Sequence, residues 1–218
     1  MSQDGDVKDR RKYQRVHFEA SPHTLAVSVE GYGNSVVFDM SYSGAALAQP
    51  QEKRIDQTDQ PIKINLVTDI DKAAIEAKVI RATKDMVATE FLSVPVEARI
   101  IIDRMISDRM IGLNMHLIDP SHYSAHAHFT HWFHGPKETN LFLWARGDDL
   151  DKAQFDLNNV SLIFEDDALF YENKETVANA PLLNNQQVIR KALAIITQMR
   201  SNVKPLNELK KIIEEQAG

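Results

Sequence analysis

Cysteine is missing from all 218 residues, which excludes disulfides, thiolate metal sites and cysteine nucleophiles. Apolar runs are short, and none approaches the roughly 18–20 residues that a membrane-spanning helix requires. Residues 1–9 are polar and lack the apolar stretch of a secretory signal, so nothing marks the chain for export and a cytoplasmic location is expected. The chain has no G-x-x-x-x-G-K-[ST] phosphate loop, no G-x-S-x-G nucleophile elbow and no H-E-x-x-H zinc helix. Internal repeats and low-complexity linkers are absent as well. Together these absences remove the catalytic classes that declare themselves by a local motif.

What is present is an ordinary composition, 43% hydrophobic and 26% charged, long enough for one or two units that each bury a core. The formal net charge of −6 is unevenly spread. Lys8-Asp9-Arg10-Arg11-Lys12-Tyr13-Gln14-Arg15 holds five cations and one anion, or +4, which leaves −10 on the rest of the chain. An acidic body repels nucleic acid at long range, and eight residues are too short a footprint for an extended polyanion, so DNA and RNA are not expected partners. A small anion suits the segment better.

Three stretches differ in pattern. From about residue 16 to residue 92, short β-type runs alternate with turn residues, with strands expected at 23–30, 35–40, 44–48, 62–67, 73–82 and 86–92. Gly31-Tyr32-Gly33-Asn34 joins the first two as a tight hairpin. Six such strands closing on themselves form a barrel with little exposed edge. Residues 95–133 read as helical, with a break at Pro120: Ser93 caps, Pro95 opens, Val96, Ile100, Met105 and Ile106 recur at helical spacing, and Ile101 and Ile102 widen the apolar stripe. From residue 139 strands return at 139–146, 152–157, 161–165 and 168–173, an antiparallel meander, before two terminal helices carrying Val188, Ala192, Ile195, Ile196 and Met199, and then Leu206, Leu209, Ile212 and Ile213. The expected fold is α+β, divided into residues 1–112 and 113–218.

Two motifs carry the functional reading. Arg11-Lys12-Tyr13-Gln14-Arg15 is an R-x-x-x-R just ahead of the first strand, and Asp39-Met40-Ser41-Tyr42-Ser43-Gly44 is a D-x-S-x-x-G that ends one strand and opens the next. Either alone has a bland explanation, a solvated basic arm or a simple turn. Their order is more informative, because they bracket one strand and one hairpin and can meet at the mouth of a small barrel. Guanidinium offers a fork for phosphate and a plane for stacking, a carboxylate accepts from an N–H pair, and glycine admits close backbone approach. That is recognition chemistry, with no catalytic residue required.

On these motifs, from about Asp9 to Phe91, the sequence resembles the PilZ family, bacterial receptors for the second messenger cyclic di-GMP. The resemblance implies a six-stranded antiparallel barrel and a dinucleotide gripped by Arg11 and Arg15, with Asp39, Ser41 and Gly44 reading guanine edges. Arg10, directly before the motif, is implied as an auxiliary. One departure is Ala88, where the family's late strand carries a glycine ahead of a phenylalanine. The resemblance further implies a non-enzymatic effector that needs no cofactor and relays ligand binding to a protein partner, in processes such as motility, adhesion, exopolysaccharide production or virulence. The polar arm, residues 2–12, is expected to close over the ligand. Number of ligands, oligomeric state and partner stay open.

Two rival readings belong beside this one. The barrel can be an interaction adaptor that has lost its ligand, or the second half can be a metal-dependent enzyme, since His116, His122, His126, His128, His131 and His134 crowd nineteen residues. His122/His126 and His128/His131 have helical chelating spacing. The histidines spread around a helix, however, and Phe129, Trp132 and Phe133 suggest packing, so no metal is expected. Asp148-Asp149 and Asp166-Asp167 sit at turn tips, and Leu141-Phe142-Leu143-Trp144 reads as core strand.

Overall fold

The computed structural model describes residues 13–18, 26–67, 71–124, 127–158, 160–173 and 185–217. The chain divides into two compact units, Met1–Arg104 and Met105–Gly218. No helix among the described residues is long and apolar enough to cross a membrane.

The first unit contains β1 (Val16–His17), β2 (Ala26–Val29), β3 (Gly33–Ser41), β4 (Gly44–Ala48), β5 (Ile62–Val67), β6 (Lys72–Ala82) and β7 (Met86–Ser93). The pairing runs β3-β2-β5-β6-β7-β4 and returns to β3, so six antiparallel strands close into a barrel, as the alternation of the sequence leads one to expect. Strand β5 shows why: Ile62, Ile64 and Leu66 point inward and are buried, while Lys63 and Val67 are exposed. Closure depends on β3 changing partner. Its first half pairs with β2 and its second half with β4, with a register shift between Val37 and Asp39. The β2–β3 hairpin needs left-handed backbone at Gly31, φ 77°, which a side chain would oppose. Strand β1 then adds to the outer side of β3, pairing Val16 with Met40 and His17 with Asp39. Ala88 sits in the β7 ladder opposite Ala46, so the departure from the family's glycine leaves that pairing intact.

Helix α1 (Val96–Leu113) begins in the first unit and ends in the second. Its buried face keeps part of the expected stripe, Ile101, Ile102 and Ile106, and leaves out Val96 and Ile100. Ala98, Ile101, Ile102 and Ile106 are buried, whereas Val96 is 70% and Ile100 46% exposed. Two positions along a helix are about 200° of rotation, so the inward stripe through Ala98 lies almost opposite Val96.

The second unit holds β8 (His116–Leu117), β9 (His131–His134), β10 (Asn140–Arg146), β11 (Asp149–Leu157), β12 (Val160–Glu165) and β13 (Ala168–Asn173), a sheet in simple sequential order, followed by α2 (Asn185–Ile196) and α3 (Lys204–Ala217). Here the helical reading of residues 121–133 is corrected. After a 3-10 turn at Pro120–His122, closed by Asp119 Oδ1 accepting from Ser121 N at 2.8 Å, the chain enters β9 as a strand. Its partners are distant in sequence: Phe133 lies opposite Leu141 and His131 opposite Leu143. That pairing overrides the helical spacing of the histidines.

One face of this sheet, with Leu141, Leu143, Phe155, Leu157, Leu162 and Phe164, packs under α2 and α3. The other face carries Trp132, Phe142 and Trp144, joined by Phe129, with Trp132 and Phe142 stacked at 6.0 Å between centroids. The run 141–144 is therefore core only at alternate positions. At the β12–β13 turn Asp166 and Asp167 both have positive φ, 52° and 58°, as a two-residue hairpin of this hand demands.

Candidate functional site

Strand β1 is only two residues long, yet its register decides where the end of the R-x-x-x-R motif lies. Because Val16 and His17 pair with Met40 and Asp39, the residue just before the strand arrives beside the end of β3. Arg15 Nη1 donates to Asp39 Oδ1 in an ion pair, with the side chains only 21% and 20% exposed. The two motifs thus meet, through one residue of each. Arg11 and Arg10 lie outside the described residues, as does the whole arm, residues 2–12, expected to close over a ligand.

Ser41 is buried at the end of β3. Its Oγ accepts from Ser43 N at 3.3 Å and lies 3.4 Å from Gly44 O, so the hydroxyl folds the β3–β4 turn back on itself. Gly44 fits because the strands press together there: a Cβ would stand 2.3 Å from Thr89 O on β7. Gly44→Ala is expected to cost about 1–3 kcal/mol of stability by overpacking this seam, measured as a fall in the urea midpoint. A neutral result would show that the turn can shift its backbone at no cost.

Two residues at the unspecified positions of the motifs face each other. Tyr13 and Tyr42 make an edge contact with centroids 6.1 Å apart. Tyr42 Oη donates to Asp103 Oδ1 on α1 at 2.5 Å. That hydrogen bond to a carboxylate, aided by burial, pushes the Tyr42 hydroxyl up to about 12. Beside them lies an open cavity of about 530 Å³ lined by Tyr13, Tyr42, Arg99, Ile100, Asp103 and Arg104. Arg104 is ion-paired with Asp71. None of these six residues was flagged by the sequence motifs, because Tyr13 and Tyr42 occupy variable positions and the rest come from a helix about sixty residues further on.

The described histidines form no comparable centre. Among the described residues no group of three or more His, Asp or Glu side chains could hold a metal ion. His134 Nδ1 is 2.9 Å from Asn140 Oδ1, which also accepts from Trp132 Nε1 at 3.0 Å, and His131 Nδ1 is 3.0 Å from Thr130 Oγ1. Burial pushes the His131 imidazole below its usual range. His126 lies outside the described residues.

A closed six-stranded antiparallel barrel with a polar, arginine-bearing mouth defines the first unit as a small β-barrel module. Residues 9–108 match the family model of the PilZ domain, and the N-terminal part of the chain is a PilZ domain. PilZ domains are generally cyclic di-GMP-binding domains and are non-enzymatic ligand-binding or adaptor modules. Seven solved chains match. One is the PilZ domain of CeSA from a cellulose-synthesizing bacterium, 21% identical, covering 43% of this chain and 95% of that one with a TM-score of 0.33. Another is an uncharacterized Legionella protein, 17% identical, covering 45% and 99% with a TM-score of 0.34. No curated protein matches the chain.

Proposed function

We propose that this PilZ barrel binds cyclic di-GMP where β1 meets the end of β3, and that the chain is a receptor that relays binding to a protein partner. Arg10, Arg11 and Arg15 take the phosphates and stack on purine, Asp39 reads a guanine edge, and the buried Ser41 and Gly44 hold the β3–β4 turn against which the ligand lies. The observation that carries the reading is the Arg15–Asp39 ion pair, which joins the two motifs at one point. Cyclic di-GMP presents two phosphodiester anions and two guanines, so it satisfies both partners of the pair at once. A phosphate replaces Asp39 on the guanidinium fork, and the released carboxylate accepts from the guanine N1–H and N2–H donors. The phosphate and guanine contacts replace what the pair loses on separating.

Asp39→Ala distinguishes recognition from simple anion attraction. Removing the carboxylate also frees Arg15, so absolute affinity is a poor readout and the ratio of affinities is a good one. The unmodified chain is expected to favour cyclic di-GMP over cyclic di-AMP by at least about tenfold, and Asp39→Ala to erase most of that preference, as competition binding would measure. Equal affinities for both dinucleotides in the unmodified chain would remove Asp39 from the reading.

A further inference from the structure

Binding at the motifs leaves one neighbouring feature without a role. The cavity of about 530 Å³ is the size of a small-molecule site, and its wall combines two tyrosine rings, two guanidinium groups and one carboxylate. Two of its residues belong to the motif segments of the chain: Tyr13 lies between Arg11 and Arg15, and Tyr42 directly follows Ser41. The far wall comes from α1, which neither motif includes. Its two arginines are not equivalent. Arg104 is held by Asp71, whereas Arg99 is exposed and makes no salt bridge among the described residues.

We infer that this cavity is a second purine subsite, in which a guanine stacks on Tyr42 beside Tyr13 and Arg99 of α1 engages the adjoining phosphate. The inference rests on the proposed binding of cyclic di-GMP and deepens it, because that ligand carries two purines and the Arg15–Asp39 mouth accounts for one. The purine that enters the cavity comes either from the far end of the same dinucleotide or from a second dinucleotide stacked on the first. Both present the same ring and phosphate chemistry, and stoichiometry separates them. Asp103, fixed by its hydrogen bond from Tyr42, keeps a second carboxylate oxygen to accept from a guanine N–H. Occupation of the subsite therefore ties the β3–β4 turn to α1, the helix that continues into the second unit.

The test is calorimetric titration of the full chain with cyclic di-GMP, comparing Tyr42→Phe, Tyr42→Ala, Arg99→Ala and Arg54→Ala. Arg54 is an exposed cation on a barrel loop, paired with Asp56 at 3.5 Å, so its removal changes net charge without touching the cavity. Tyr42→Phe keeps the stacking face and is expected to bind within about threefold of the unmodified chain. Tyr42→Ala removes the face and is expected to lose roughly five- to a hundredfold. Arg99→Ala is expected to lose roughly tenfold or more, or to halve a stoichiometry of two, while Arg54→Ala stays unchanged. Unaltered binding by both Tyr42→Ala and Arg99→Ala would overturn the subsite and leave the motif site standing, as would an equal loss in Arg54→Ala and Arg99→Ala. Circular dichroism of each variant separates a lost contact from a lost fold, and Arg99→Gln serves as the milder substitution. No binding by the unmodified chain would overturn the proposed function and the subsite together.

Discussion

Arg15→Ala is expected to weaken cyclic di-GMP binding by roughly tenfold to a hundredfold, the cost of about 1.5–3 kcal/mol for one charge-assisted contact. The loss should lie toward the upper end, because the substitution does two things. It removes a phosphate fork, and it leaves the Asp39 carboxylate without its guanidinium partner in a mouth that must receive a dianion. Like charge then opposes the ligand. Arg15→Lys keeps the charge but neither the fork nor the stacking plane, so it should recover only part of the loss. A double-mutant cycle with Asp39→Ala isolates the repulsive part: once the carboxylate is gone, removing Arg15 should cost less than it does alone. Arg15→Ala should also lower stability measurably, because Asp39 is only 20% exposed and loses its guanidinium partner. Calorimetric titration gives the affinity and a urea melt gives the stability. An unchanged affinity would mean that Arg15 does not touch the ligand.

Phe155→Ala should be the most damaging substitution for stability, at about 3–5 kcal/mol. Phe155 is 1% exposed and occupies the middle of β11, opposite Leu141 on β10 and Leu162 on β12. All three belong to the core shared with α2 and α3, which includes Ile195, Leu206, Leu209 and Ile213. Truncation removes the ring's burial and leaves a cavity that two strand ladders and two helices prevent from collapsing. The expected signature is a lower urea midpoint with little change in slope. Phe170, 45% exposed on β13, provides the comparison: Phe170→Ala should cost far less. Equal costs for the two would contradict the assignment of the inner face.

How much of this was legible in the sequence depended on whether the pattern was local. The barrel strands declared themselves because inside and outside alternate with period two, as in Ile62, Ile64 and Leu66 against Lys63 and Val67. The phase of α1 was not legible. Ile100, Ile101 and Ile102 are consecutive and apolar residues surround the helix, so spacing alone could not choose between the face through Ala98 and the face through Val96. Residues 121–133 misled for a related reason. Histidines three and four apart suit a helix, but Phe133 and His131 are held by Leu141 and Leu143, partners that no local window contains. The same alternation split the aromatic run, sending Leu141 and Leu143 into the core and Phe142 and Trp144 to the opposite face.

The candidate site followed the same rule. The motifs singled out Arg15 and Asp39, but β1, whose pairing with β3 brings the two together, was not among the expected strands. Tyr42 and Asp103 were not singled out, since Tyr42 stands at a variable motif position and Asp103 lies 61 residues away on α1, linked to it only by the folded chain.

Equilibrium dialysis of the full chain against labelled cyclic di-GMP decides whether the PilZ unit binds this ligand. Saturable uptake at micromolar ligand, displaced by unlabelled cyclic di-GMP and reduced at least tenfold in affinity by Arg15→Ala, is the expected result. No protein-dependent retention at high micromolar ligand, or retention that Arg15→Ala leaves unchanged, would contradict it.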